Sequence, residues 1–436
     1  MPMIENLINK FKTKNAKVGI IGLGYVGLPL ALSYEKEGIE VTGFDIDESK
    51  IKKLSLGESY ISHIDSTDIK KALAGKFKAT KNFALIEEMD GIIICVPTPL
   101  DRHREPDLSC IISTMDSISP YLKKNQILSL ESTTWPGTTD EVIKPYIEKR
   151  NWVVGEEYFL VFSPEREDPG RKDFTTTSTP KLCGGNTRNC LDMGLALYGG
   201  VIKNLVPLSS TKLAEITKLF ENIHRAVNIA LVNEMKVITD KMGLDVHEMI
   251  HAAATKPFGF TPYFPGPGIG GHCIPIDPFY LTWKVRELGV STRFIELAGE
   301  VNNSMPDFVV GKIIDALNKD KKSLNGAKVL ILGLSYKPNI DDYRESPALI
   351  VMEKLREKGA ILSYSDPHLP TFPKMQEHHF DLQSIEVNPT TLQGHDCVVI
   401  TTAHDSFDYH QILKFSQILV DTRGKIRESC PNLVRA

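Results

Sequence analysis

The 436-residue chain has few cysteines and no Cys-x-x-Cys pair. The seven are scattered: Cys95, Cys110, Cys183, Cys190, Cys273, Cys397 and Cys430. An odd, unclustered set argues against a disulfide framework and a thiolate zinc site, and makes a reducing cytoplasm the expected setting. No charge of one sign dominates, since 51 basic residues face 55 acidic ones for a net charge of −4. That excludes a global attraction to nucleic acid or to an anionic membrane. A long apolar run is missing too. One decoy exists: Lys10, Lys12, Lys14 and Lys17 precede an uncharged stretch over 18–34 that imitates a signal peptide. It holds four glycines and a proline and is short for a spanning helix, so a strand, turn and helix explains it better. Low-complexity tracts and short-period repeats are also lacking. What remains is a globular chain, 42% hydrophobic, long enough for two or three domains. Its expected partners are small molecules or protein.

The first half alternates strand and helix signals. "KVGIIGLG" reads as a strand, "YVGLPLALSYEKEG" as a helix stopping at Gly38, and "IEVTGFDID" as a second strand. "DGIIICVPTP", "QILSLESTT" and "YFLVFSPE" are further buried strands. Such alternation predicts a parallel, doubly wound sheet. From Lys212 to about Met242 the texture changes: Leu213, Ile216, Phe220, Ile223, Val227, Ala230 and Leu231 recur at helical spacing until Gly243. A polar stretch, "DKKSLNG", then reads as a linker, and the last part repeats the first. "KVLILGLSYK" echoes "KVGIIGLGYV", "AILSYSDP" echoes "EVTGFDID", and "HDCVVITTAH" echoes "MDGIIICVPT". The expected fold is α/β: two Rossmann-like doubly wound parallel-sheet domains joined by a central long-helix region. The expected boundaries are 1–205, 206–318 and 319–436.

"GLGYVG" supplies Gly22, Gly24 and Gly27 between a strand and a helix. Gly22 permits the tight turn, Gly24 lets backbone approach a pyrophosphate, and Gly27 lets the helix pack on the sheet. The helix N-terminus offers free N–H groups to phosphate. Asp45 closes the second strand 18 positions beyond Gly27. Its carboxylate can accept from ribose hydroxyls and repels a 2′-phosphate, which favours NAD over NADP. The later copy keeps Gly333 but has Ser335 and Pro338 where the other glycines would stand. Lys337, Arg344 and the following helix start suit a different phosphorylated ligand, such as a nucleotide, with a solvated charged loop as the plainer alternative.

"GIGGHCIPID" places Cys273 in a glycine turn with Asp277 four positions on. A lone cysteine is usually buried and inert. Here it stands among "GLGYVGLPLA", "VPTPL", "ESTTWPGT", "SPERE", "EITKLFENIHRAVNIALVNE", "GPGIGGHCIPIDP", "GLSYKPNIDDYRESP" and "DTRG". Together these resemble the UDP-glucose/GDP-mannose dehydrogenase family over about Lys17 to Lys425. The resemblance implies a two-step, NAD-dependent oxidation of the C6 alcohol of a nucleotide-linked hexose to a carboxylate. It makes Cys273 the nucleophile, which forms a thiohemiacetal and then a thioester. It makes Asp277 the acid working with thiol and water, Lys218 and Asn222 the oxyanion and substrate holders, Glu165 a proton-transfer group and Thr133 a water-positioning one. Tyr25, Val26, Pro97, Thr98 and Thr133 join the cofactor set; Arg166, Gly270, Lys337 and Arg423 join Glu165, Lys218 and Asn222 around a UDP-sugar. It implies a homodimer built on the long helix. "SPEREDPG" with His272 and Ile274 flanking the cysteine looks more like the branch acting on UDP-N-acetylhexosamines, with UDP-N-acetylglucosamine first.

Two rivals stand in the same sequence. "HEMIH", from His247 to His251, is a formal HExxH zinc motif, with Glu287 as a conceivable third ligand. A nucleotide-sugar binder that kept the fold is the other, although the cysteine, lysine, aspartate and glutamate positions are all filled by the right chemical types. No metal is expected in the preferred reading.

Overall fold

Short apolar runs bounded by glycine and polar residues become strands, buried on both faces within the sheet and partly exposed at its two edges. In the computed structural model these are β1 (Lys17–Ile21), β2 (Glu40–Phe44), β3 (Phe77–Thr80), β4 (Gly91–Ile94), β5 (Ile127–Leu130), β6 (Phe159–Phe162), β7 (Lys181–Gly185) and β8 (Leu205–Leu208). The structure describes residues 2–61, 64–101, 105–166, 177–271, 274–373, 375 and 378–436. The chain forms two compact units, Met1–Glu221 with Phe279–Val290, and Asn222–Pro278 with Ser291–Ala436.

In the first unit the strand order is β3-β2-β1-β4-β5-β6-β7-β8. The order reverses between β1 and β4, the switch point at which open α/β sheets bind ligands beyond their strand ends. Helix Gly27–Lys36 buries Leu28, Leu30, Ala31 and Tyr34, and the Tyr34 hydroxyl donates to the Leu197 carbonyl at 3.0 Å. One pairing departs from the doubly wound pattern: β6 and β7 are antiparallel. A parallel neighbour requires a crossover, usually a helix, and the described residues joining β6 to β7 form none. The N-terminal end of β7 therefore lies at the same sheet edge as the C-terminal ends of β5 and β6.

The second unit holds β9 (Lys328–Leu332), β10 (Ile361–Ser365), β11 (Cys397–Ile400), β12 (Leu419–Asp421) and β13 (Leu433–Arg435). Their order is β10-β9-β11-β12-β13, all parallel. Successive β9 residues feed opposite faces, as a period of two demands. Val329 and Ile331 join the cluster with helices Arg293–Lys319 and Pro347–Glu357, while Leu330 and Leu332 join Leu392 and Ile412.

The echo between the two halves extends to single hydrogen bonds. Lys17 N donates to Asp90 Oδ2 at 3.0 Å, and Lys328 N to Asp396 Oδ2 at 2.9 Å. Gly22 N reaches the Phe44 carbonyl and Gly333 N the Ser365 carbonyl, both at 2.8 Å. The long helix spans Thr211–Lys241, within a residue of its expected limits, and Gly243 follows with φ 71°.

A buried hydroxyl marks a weak point. Tyr158 is fully buried against Trp152, yet its hydroxyl has no hydrogen-bond partner among the described residues. Leaving a polar group dry costs about 1–3 kcal/mol. Tyr158→Phe is expected to raise unfolding free energy by ~1 kcal/mol in urea melts followed by circular dichroism; a drop would mean that the hydroxyl holds an ordered water.

Candidate active site

The turn after β1 is built for a closely approaching ligand. Gly22 has φ +91°, and a Cβ there would lie 2.6 Å from the Cys95 carbonyl oxygen; one on Gly27 would lie 1.9 Å from the Gly22 oxygen. Gly24 has nothing within 4 Å of that position, so the space beside it is open. Val26 caps the following helix with no side-chain bond, which leaves the N-terminal amides without a side-chain competitor. Asp45 stands at the end of β2: its Oδ2 accepts from Leu23 N at 2.9 Å and Lys50 Nζ at 3.1 Å, its Oδ1 from Asp47 N at 3.0 Å. A carboxylate offers about four lone-pair sites, so it keeps capacity for a ribose hydroxyl. Tyr25 packs against the unit's core. Pro97 is exposed and Thr98 buried, the latter's carbonyl taking the Tyr280 hydroxyl at 3.0 Å. Thr133 lies half-buried beyond β5. These residues fit a dinucleotide.

The neighbouring sheet edge is crowded with buried charge. A pocket there is lined by Val26, Leu30, Glu131, Glu165, Arg166 and Lys181, among others. Lys218 Nζ lies 3.6 Å from Glu165 Oε2, with both side chains largely buried. Burial pushes the Glu165 carboxyl above the ordinary glutamate range; Lys218 and Lys181 pull it back, and Glu131 adds to the rise. Arg166 makes a two-pronged pair with Glu221, at 3.2 Å and 2.6 Å, and donates to the Pro180 carbonyl at 2.7 Å. One turn before Lys218, the Glu215 carboxylate accepts from Gly137 N and from the amide and hydroxyl of Thr139. It ties the "ESTTWPGT" loop to the long helix, and burial pushes it up to about 7. Sequence reasoning missed Glu131, Lys181, Glu215 and Glu221. Glu131, Glu215 and Glu221 lay inside quoted motifs; Lys181 gave no signal, because its place depends on the antiparallel turn.

In the second unit Asn222 Nδ2 donates to Asp277 Oδ2, and Asp277 is almost fully buried at the start of helix Asp277–Val285. Residues 272 and 273 lie outside the described residues, so the Cys273 assignment is carried by sequence. Gly270 meets the loop after β9: a Cβ would be 2.7 Å from Tyr336 Cβ and 2.8 Å from the Glu345 oxygen. Its smallness serves this packing, beyond the substrate access expected of it. Arg423 donates from Nε to the Thr401 carbonyl at 2.7 Å and presses its guanidinium on Gly266. Burial lowers its pKa to about 10. Lys337 is half-buried in the β9 loop, and Arg344 is forked onto Asp342 at 2.9 and 2.7 Å.

Asp366 mirrors Asp45, taking Leu334 N at 2.7 Å. It also takes Ser335 N, His368 N, Leu369 N and the His404 ring. Its acceptor sites are filled, and the second copy has no carboxylate to spare for a ribose. The "HEMIH" imidazoles are engaged in packing. His247 stacks on Phe264, His251 Nε2 accepts from Arg427 at 3.1 Å, and Glu287 is paired with Lys284. Among the described residues no group of three His, Cys, Asp or Glu is placed to hold a metal ion. A guanidinium beside His251 opposes a zinc ion at that nitrogen.

Comparison with known proteins finds three consecutive domains of one family. The UDP-glucose/GDP-mannose dehydrogenase family's NAD binding domain matches residues 16–202, its central domain 212–304 and its UDP binding domain 330–428. The chain is 35% identical over 396 residues to UDP-N-acetyl-D-glucosamine 6-dehydrogenase of Pseudomonas aeruginosa, covering 90% of this chain and 92% of that one. It is 33% identical over 423 residues to UDP-N-acetyl-D-mannosamine dehydrogenase of Methanococcus maripaludis, covering 96% and 93%. The solved UDP-D-ManNAc dehydrogenase of Pyrococcus horikoshii matches with a TM-score of 0.85 at 30% identity, covering 96% and 98%.

Two glycine substitutions separate packing from cofactor approach. Gly27→Ala is expected to lower stability by about 1–3 kcal/mol, because helix and turn must move apart. Gly24→Ala is expected to leave the melting temperature unchanged while weakening NAD binding about tenfold or more, read by calorimetry. Equal losses in both variants would contradict this division.

Proposed function

We propose, since the chain belongs to the UDP-glucose/GDP-mannose dehydrogenase family, that it oxidises the C6 hydroxyl of a UDP-N-acetylhexosamine to the uronic acid. UDP-N-acetyl-D-glucosamine is the first choice, on the texture of "SPEREDPG". The similar identity to mannosamine enzymes favours UDP-N-acetylmannosamine as second reading; UDP-N-acetylgalactosamine and UDP-glucose follow. The buried Glu165–Lys218 pair carries the reading, because it supplies a basic carboxylate and a fixed cation at the cofactor end of the sheet.

NAD, held by Gly22, Gly24, Gly27 and Asp45, supplies the hydride acceptor twice, so alcohol and water become carboxylate with two NADH and three protons released. Lys218 and Asn222 steady the oxygen at C6 as charge develops on it. The Cys273 thiolate adds to the aldehyde carbon, and loss of hydride from that thiohemiacetal leaves a thioester. Water, oriented by Thr133, attacks the thioester carbonyl while Glu165 takes its proton; the C–S bond breaks and the thiolate departs. Asp277, bonded to Asn222, assists the thiol and water. Lys337, Arg423, Arg166 and Gly270 hold the UDP-sugar.

The division of labour proposed is 1–205 for NAD, 206–318 for the central region and 319–436 for UDP. Leu213, Ile216 and Phe220 are exposed along one helix face, which supports a homodimer seam. No described helix is long and apolar enough to cross a membrane, and we place the reaction in the cytoplasm, supplying surface polysaccharide.

Purified protein with excess NAD is expected to yield two NADH per UDP-N-acetylglucosamine. Cys273→Ala is expected to lose steady turnover by on the order of 10³-fold or more. Two NADH from another sugar alone would overturn the substrate; none from any would overturn the activity. The rate of thioester hydrolysis is expected to rise with pH through an apparent pKa above the ordinary glutamate range. That limb should vanish in Glu165→Gln.

A further inference from the structure

Lys181 and Glu131 form a buried ion pair that the reaction above does not use. Lys181 Nζ lies 3.0 Å from Glu131 Oε2, and their side chains are 8% and 2% exposed. Burying two charges is costly, and such a pair is weak evidence for stability by itself. The second Glu131 oxygen, Oε1, is buried without a well-aligned hydrogen bond among the described residues, and the Tyr198 hydroxyl, bonded to Ser129 Oγ at 2.8 Å, is a buried polar group that bears on this carboxylate. An apolar pair would fill the same volume without that penalty.

The pair is also placed on the candidate catalytic edge. Glu131 follows β5, Glu165 follows β6, and Lys181 opens the antiparallel β7. Lys181 Nζ also reaches the Pro164 carbonyl at 3.3 Å, one residue before Glu165, and stands 5.1 Å from the centre of the Tyr198 ring. It therefore fixes the backbone that carries Glu165. Glu131, Glu165 and Lys181 line one pocket.

We propose that Glu131 and Lys181 are a positioning pair for Glu165: Lys181 anchors its backbone, and Glu131 supplies the counter-charge that keeps Lys181 from claiming the Glu165 carboxylate. This rests on Glu165 being the proton acceptor of the reaction. The described charges facing Glu165 are Lys218 from the long helix, Lys181 from β7 and Glu131 from the end of β5. Adjacent Arg166 is matched by Glu221. Two lysines with Glu165 as their only anion would hold it ionised and a poor base. With Glu131 present, one lysine is neutralised, and Glu165 stays basic enough to take a proton from water. The direction of its shift, upward with Glu131 contributing, agrees.

The test reads the ionisation of Glu165 directly, by infrared difference titration against Glu165→Gln, beside the pH dependence of turnover. Glu131→Gln removes a negative neighbour, so the Glu165 pKa is expected to fall by about half a unit or more. Lys181→Met removes a positive one and is expected to raise it. The double variant, a neutral pair of similar volume, keeps the fold if Lys181→Met alone does not, and is expected to return the value toward wild type. Opposite shifts in the two single variants, or a fall in Glu131→Gln with its reversal in the double variant, support the proposal. An unmoved or raised value in Glu131→Gln overturns it. If the ionisation moves as expected while the turnover profile does not, the tuning stands and the catalytic reading of Glu165 falls.

Discussion

The amide that follows the turn glycine after β1, and likewise after β9, needs an acceptor beyond its own strand. Leu23 N finds Asp45 and Leu334 N finds Asp366, each at the end of the neighbouring strand. Much of the division between the halves follows from how those carboxylates are spent. Asp45 serves two amides and one lysine and keeps acceptor capacity. Asp366 serves four amides and a buried imidazole. One carboxylate thus keeps room for a ribose hydroxyl, and its counterpart does not. The corresponding loop of the second unit has Ser335 and Pro338 where the later glycines would stand, with Arg344 forked onto Asp342.

Architecture was largely legible in the sequence because its signals are local. β-Branched runs, glycine punctuation and a 3.6-residue period each depend on neighbours in the chain. The three echoed segments proved to be equivalent strands with equivalent hydrogen bonds. The candidate site gave a signal only where a motif carried chemistry at fixed spacing, as at Gly22–Gly27 or Lys218 and Asn222. Lys181 was illegible for a physical reason. Whether a residue opening a strand stands at the ligand edge depends on strand direction, and nothing within "KLCGG" sets that direction. Glu221 was hidden differently: an acid on an amphipathic helix reads as solvated until its partner, Arg166, is seen.

Burial gives the electrostatics of the first unit their force. On the surface, pairs such as Lys14–Glu37 are screened and contribute little. At the sheet edge the same groups lose water, and each ionisation then depends on its neighbours. Glu165 and Glu215 share a direction of shift for one main cause, desolvation, but differ in partners. Glu215 is bonded to backbone amides and a hydroxyl of a loop, so its task is to hold that loop. Glu165 faces lysines, whose charge bears on its own protonation.

That difference bears on why a two-step oxidation would retain dry charges that packing alone disfavours. An alcohol oxidation and a thioester hydrolysis ask opposite things of one site. The first gains from fixed cations that stabilise a developing alkoxide. The second needs a carboxylate that gives up part of its charge to a proton from water. Cations that help the first step weaken the base for the second, since each holds the carboxylate ionised. An extra acid beside the extra lysine relieves this conflict without removing the lysine that anchors the backbone. On this argument the dry Glu131 carboxylate would be the stability cost of running both proposed steps at one site.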